Sequence, residues 1–216
     1  MASLLPIPLL VLTVFLLIRA ELHHKSRQVF LFKPLSSGLV LIVALLSFLD
    51  PGVNRSYTVY LLAGLLLSLG GDVALVFREN RRAFLTGLVL FLFAHLVYFV
   101  AFNFLSRYQP RETVISAVAL LAGATAYVYL LPGLRSLKLP VAVYVLVISA
   151  MVSQAISTLF DPVVPATQAR LVSLGAILFW LSDLILAIDR FRVRLRYYSL
   201  NLAVYYTGQL LIALSA

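Results

Sequence analysis

Apolar residues in this chain run in long, nearly unbroken stretches. They are too long for strands and too uniformly apolar for the amphipathic helices of a water-soluble globule. About 20 residues of α-helix cross a ~30 Å hydrocarbon core. Runs of about that size are expected at Leu4 to Ile18, Phe30 to Leu49, Tyr57 to Phe77, Ala83 to Leu105, Thr113 to Leu131, Leu139 to Phe160, Thr167 to Ile188 and Tyr197 to Ser215. Several connections carry turn chemistry, as in Asp50-Pro51-Gly52, Pro132-Gly133 and Asp161-Pro162. There proline withholds a backbone donor and disfavours helical geometry in the residue before it. The pattern predicts an all-α, polytopic membrane protein with eight transmembrane helices, a single integral-membrane domain over residues 1–216. The first run has a signal peptide's length, but no basic residue precedes it and no small-x-small site follows it. It is therefore expected to remain as a span.

Composition agrees with that pattern. Of 216 residues, 62% are apolar and 12% charged, with mean hydropathy +1.04. Soluble domains average about 45–50% apolar and about 25% charged. The 17 Lys and Arg against 8 Asp and Glu give net +9. Too little polar surface lies between the runs to build a phosphate groove, so a nucleic-acid partner is excluded. The basic residues instead sort by connection. Odd connections hold Arg19, Lys25, Arg27 and Lys33, then Arg78, Arg81 and Arg82, then Arg135 and Lys138, then Arg190, Arg192, Arg194 and Arg196. Even ones hold Arg55, Arg107, Arg111 and Arg170. The positive-inside rule places the odd connections in the cytoplasm and both termini on the non-cytoplasmic side. A bacterial inner membrane is the expected location, with an organelle membrane as the alternative. The lack of cysteine excludes a disulfide framework, a thiol nucleophile and a Cys-ligated metal.

Two acids stand inside apolar runs: Asp72 in LLLSLGGDVALVF and Asp183 in GAILFWLSDLILAI. Each costs about 2.5–3.5 kcal/mol near a helix centre, so each is a functional candidate. Each lies ~7–8 Å from the cytoplasmic end of its run at 1.5 Å per residue. Near that layer fall Lys33 beside Pro34, Tyr144, Ser182, Asn201 and Tyr205; His95, Tyr98, Gln154 and Gln209 lie nearer the midplane. Together they predict a polar cavity opening toward the cytoplasmic leaflet. The bland alternative makes each Asp an interhelical hydrogen-bonding group, packed through Gly70, Gly71 and Ser182, and makes the tyrosines part of an aromatic belt. A spacing of 111 relates Asp72 to Asp183, Lys33 to Tyr144 and His95 to Tyr206. With four spans between the mates, it suggests a duplication in one membrane orientation.

Two carboxyl groups in a water-accessible intramembrane pocket suggest acid chemistry. Close like charges do not both ionise cheaply, so one Asp keeps its proton while the other is an anion. A general acid beside a charge stabiliser suits hydrolysis through an oxocarbenium-like cation.

The ordered set Lys33-Pro34, Gly71-Asp72 with Leu75, Phe84, Gly87, Phe91, His95, Tyr98, Tyr144, Met151, Gly175-Ala176, Phe179, Ser182-Asp183, Tyr205-Tyr206 and Gln209 resembles the YhhN-like lysoplasmalogenase family over nearly the whole chain. The resemblance implies hydrolysis of the vinyl ether bond of lysoplasmalogens to a fatty aldehyde and a glycerophospho-alcohol. Asp72 and Asp183 are then the catalytic pair, with no metal or cofactor. The implied partners are a lysophospholipid-type substrate and the surrounding membrane lipids, its phosphate meeting Lys33 or the arginines from Arg78 to Arg82. Substrate contacts are expected from Lys33, His95, Tyr98, Tyr144, Ser182, Asn201, Tyr205 and Gln209. The alternative is a proton-coupled transporter or lipid-binding membrane protein using the same Asp pair. An intramembrane aspartyl protease fits less well, because Leu69-Gly70-Gly71-Asp72 lacks the first glycine of a G-x-G-D motif.

Overall fold

A computed structural model describes residues 2–47, 54–106, 112–196 and 198–216. The turn Asp50-Pro51-Gly52, Arg107, Arg111 and Tyr197 lie outside the described residues. The described residues form the α-helices α1 (Ile7–Leu22), α2 (Ser26–Leu46), α3 (Arg55–Val76), α4 (Arg81–Asn103), α5 (Glu112–Leu134), α6 (Lys138–Ser157), α7 (Ala166–Phe191) and α8 (Asn201–Leu214), with short 3₁₀ turns and no strand. Among the described residues, five stretches are long and apolar enough to cross a membrane: α2, α3, α4, α7 and the run 113–160, which takes in α6 and all of α5 but its first residue. The chain is thus a helical membrane protein. At 16 and 14 residues, α1 and α8 are shorter than the ~20 residues expected of a full span.

Local chemistry explains most helix ends. Asn54 caps α3 by accepting from the Tyr57 N–H, and Asn80 caps α4 by accepting from Arg82 and Ala83; each satisfies a donor that the first turn leaves open. Pro6 and Pro8 sit where the missing N–H costs nothing, at the start of α1. The expected turn at Pro132-Gly133 falls later, because α5 continues to Leu134 and the chain reverses at Arg135, whose φ is +47°. Large apolar side chains left exposed on α1 and α5, among them Leu9, Phe15, Val114 and Leu121, face lipid rather than water.

The duplication is visible in the helix boundaries. Residues 111 apart, as Tyr98 and Gln209 are, start α3 and α7 at Arg55 and Ala166, end α2 and α6 at Leu46 and Ser157, and end α4 and α8 at Asn103 and Leu214. Cross-packing repeats as well, since α2 lies on α8 as α6 lies on α4. Tyr98 donates to the Gln209 side chain at 3.1 Å, so these mates meet where the two halves join.

A close approach of α7 and α8 uses glycine. A Cβ on Gly175 of α7 would lie 2.9 Å from the Gly208 carbonyl oxygen and 2.8 Å from Ile212 Cγ1 of α8. Backbone cannot yield as a side chain does, so Gly175→Ala is expected to lower stability by about 1–3 kcal/mol. Gly38→Ala, with nothing within 4 Å, is the control, and thermal unfolding in detergent compares the two. Equal melting temperatures would mean that α7 and α8 are not locked by this contact.

Candidate active site

Asp72 and Asp183 each follow the first residue of their helix by 17 positions, from Arg55 in α3 and Ala166 in α7. Their surroundings have nonetheless diverged. Asp72 is 1% exposed. One carboxylate oxygen accepts from Ser37 at 2.6 Å and from Tyr205 at 2.7 Å, and the Lys33 ammonium stands 3.4 Å from the other. Lys33 and Ser37 are four apart in α2, hence on one helix face. The network extends outward. Tyr206 donates to the Lys33 carbonyl at 2.9 Å and pairs with Ser37 at 3.1 Å, Gln209 donates to the Tyr205 hydroxyl at 3.1 Å, and Tyr98 bridges Gln209 and Ser68. A buried carboxylate is tolerated at this depth because nearly every lone pair is answered.

Asp183 has a different setting. Tyr144 of α6 donates to it at 2.5 Å, and His95 Nε2 lies 3.5 Å from the same oxygen. His95 is completely buried, its ring tilted against Phe179 with centroids 4.7 Å apart and edge-on to Tyr144 at 5.3 Å. The Asp183 side chain is 13% exposed, and what it is exposed to is an apolar cleft. That cleft occupies about 700 Å³, open space outside it included, among Leu75, Phe84, Leu88, Phe91, Tyr144 and Trp180, with α5 contributing Gly123, Ala126 and Leu130. A carboxyl and a phenol are thus the polar groups in a site otherwise suited to a hydrocarbon chain.

The two acids sit in different hydrogen-bond networks. No hydrogen bond joins them among the described residues, and the rings of Phe91, Phe179 and Tyr205, with centroids 5.4–6.0 Å apart, fill the space beside both. Of the residues expected at the site, Lys33, Tyr98, Tyr205 and Gln209 gather around Asp72, while Tyr144 and His95 gather around Asp183. Asn201 and Ser182 join neither group, since the Asn201 side chain donates to the Ser182 carbonyl at 3.1 Å and ties α8 to α7. Gln154 also lies elsewhere, donating to the Ser106 carbonyl. Ser37, Ser68 and the cleft wall of Phe91 and Trp180 were not expected at the site. Both serines had a readable signal, Ser37 its one-turn spacing from Lys33 and Ser68 its one-turn spacing from Asp72.

The YhhN family model matches residues 28–216. The chain is 36% identical over 163 residues to lysoplasmalogenase TMEM86B of Rattus norvegicus, covering 74% of this chain and 63% of that protein. It is 34% identical over 165 residues to lysoplasmalogenase TMEM86B of Homo sapiens, covering 76% and 66%. It is 35% identical over 137 residues to a lysoplasmalogenase of Mycobacterium tuberculosis, covering 61% and 50%. The matched stretch thus spans less than two thirds of each of these relatives. No solved structure matches the chain.

The Lys33–Asp72 pair generates a stability test. Breaking a buried pair on one side leaves an unanswered charge, so Lys33→Met should cost about 3–5 kcal/mol. Removing both charges, in Lys33→Met with Asp72→Asn, should recover at least about half of that loss. Chemical unfolding in detergent measures both variants. A double variant as unstable as the single one would mean that charge pairing is not what holds this site.

Proposed function

This chain belongs to the YhhN family, and from that premise we propose that it is a membrane-embedded hydrolase that cleaves the vinyl ether bond of lysoplasmalogens. The products are a fatty aldehyde and a glycerophospho-alcohol. The observation that carries the reading is Asp183, a carboxyl that lines an apolar cleft and is held by Tyr144 at 2.5 Å. The cleft suits one alkenyl chain, and the carboxyl suits the one polar event the reaction requires, proton transfer to carbon.

In this mechanism Asp183 is the proton donor. Its neighbours Tyr144 and His95 carry no permanent charge, whereas Asp72 faces the Lys33 ammonium. A carboxyl against an apolar wall without a permanent cation favours its neutral form. Asp183 delivers its proton to the vinyl β-carbon, whose π pair forms the new C–H bond and leaves an oxocarbenium ion at the α-carbon. The resulting carboxylate stabilises that cation, and the aromatic faces of Phe91 and Tyr144 add to the stabilisation. Water then adds to the α-carbon and returns a proton to Asp183. Collapse of the hemiacetal breaks the remaining C–O bond and moves a proton to the departing glycerol oxygen. Tyr144 orients the donor, and Asp72 with Lys33 fixes α2, α3 and α8 behind it.

Purified variants test the assignment by aldehyde release. Asp183→Asn should lose at least about 100-fold in turnover. Asp72→Asn should lose about 10- to 100-fold through misplacement rather than chemistry. Turnover by Asp183→Asn near that of the unaltered protein would remove it from the mechanism.

The proposal includes the topology, with eight crossings and both termini on the non-cytoplasmic side. The chain has no cysteine, so introduced thiols report without background. An impermeant maleimide should label Val163→Cys, in the connection after α6, on intact cells, and Ser136→Cys, in the connection before α6, only after permeabilisation. The reverse pattern would invert the topology.

A further inference from the structure

The apolar cleft has a direction. From Phe84, Leu130 and Phe191 at the ends of α4, α5 and α7, it runs about 16 Å inward to Gly123, Ile148 and Trp180 at 1.5 Å per residue. Phe191 stands at its mouth, where its ring meets Phe84 edge-on with centroids 5.9 Å apart. Gly133 holds that position, because a Cβ there would lie 2.7 Å from the Phe191 carbonyl carbon. The residues on either side of Phe191 are both arginines. The Arg190 guanidinium lies 4.8 Å from the Phe84 ring centroid, and the Arg192 guanidinium lies 5.1 Å from that of Tyr129, the neighbour of the cleft residue Leu130.

We infer that Arg190 and Arg192 form a phosphate-binding rim at the mouth of this cleft and recognise the phosphodiester of a single-chain lysophospholipid. The inference rests on the function proposed above for the cleft and adds what holds the headgroup. Spacing supports it. Arg190 follows Asp183 by seven residues, which puts both on one face of α7 at a rise of about 10.5 Å. In a lysoplasmalogen the β-carbon that accepts the proton and the phosphorus are separated by about seven covalent bonds, about 9 Å when extended. One end of that segment therefore reaches Asp183 while the other reaches Arg190.

Three other basic groups are engaged elsewhere. Lys33 is committed to Asp72. Arg78 pairs with Glu21 at 3.1 Å and sits over Tyr198, away from the apolar cleft. Arg194 shares Glu79 at 3.5 Å and lies 4.0 Å from Asp189. Arg190 touches Glu79 only at 3.7 Å, and Glu79 is itself 69% exposed, so a phosphate can replace that contact at little cost. Guanidinium groups laid on aromatic faces keep their planar donor forks free for a bidentate anion.

Trp180 is the only tryptophan and lines the cleft, so its fluorescence reports occupancy without turnover. The probes are 1-O-alkyl-glycerophosphoethanolamine, whose saturated ether the proposed chemistry does not cleave, and 1-O-alkylglycerol, which lacks the phosphate. The full-length protein should bind the first more tightly. In R190Q with R192Q that phosphate preference should fall by about tenfold or more, while alkylglycerol affinity stays within about twofold. An unchanged preference overturns the rim. If the double variant loses both ligands, R190Q and R192Q singly carry the comparison, and an unchanged preference in each overturns it. Inorganic phosphate and glycerophosphoethanolamine compete in parallel. Displacement by either as effective as by the chain-bearing probe would make this a general anion site and overturn the lipid assignment. Headgroup-dependent binding without aldehyde release from lysoplasmalogen supports the rim and refutes the hydrolase reading instead.

Discussion

A carboxylate buried at membrane depth has to find its partners inside the protein, and the bundle is organised around how Asp72 does so. Lys33 and Ser37 come from α2, Tyr205 from α8, and Gln209 passes the connection on to Tyr98 of α4. One acid on α3 thereby holds the early helices to the last one. In lipid, helix association has no hydrophobic drive of its own, so hydrogen bonds and close packing set the arrangement. The rings of Phe179 and Tyr205 then seat against this network, and Phe179 lies one turn before Asp183 on α7. The position of the second acid follows from the satisfaction of the first.

Duplication explains why there are two acids and divergence explains why they differ. Lys33, Leu75, Val76 and Leu202 line a small polar cleft, and their counterparts 111 residues away, Tyr144, Leu186, Ala187 and Phe91, line the large apolar one. A parallel repeat opens both clefts toward the same face. In the first, lysine answers the carboxylate, and Glu21 with Arg78 occupies the entrance. In the second, tyrosine replaces lysine, and histidine replaces Tyr206. Ile148 and Ala94 likewise stand where the first half has Ser37 and Tyr205, so the second carboxyl loses both hydroxyl donors and the ammonium that surround the first.

Much of this was legible in the sequence because membrane burial makes rare residues conspicuous. Asp72 and Asp183 stood out against their apolar runs, and the 111-residue spacing that joined Lys33 to Tyr144 recurs in three pairs of helix ends. The long apolar runs marked the helices, although Pro132 did not end α5 where local propensity suggested. What stayed hidden depends on rotation about helix axes. Asn201 and Ser182 lie at the expected depth yet bond each other, because depth is read from position along a run whereas facing depends on packing. The rings between the carboxyl groups were hidden for the same reason, since Phe91 and Phe179 are ordinary residues in an apolar run.

The different partners of the two acids bear on the chemistry that two carboxyl groups first suggest. In a shared-proton dyad each carboxyl sets the charge of the other, and substrate enters between them. Here Asp72 already accepts from two hydroxyl groups and faces an ammonium. Asp183 has one firm partner, Tyr144, which donates to a single oxygen. The geometry leaves the other oxygen free to act. A single carboxyl suffices for vinyl ether hydrolysis because the acid that protonates carbon becomes, in the same step, the anion that the new cation needs. In the proposed mechanism Asp72 contributes by holding the frame in which Asp183 and its tyrosine are aligned.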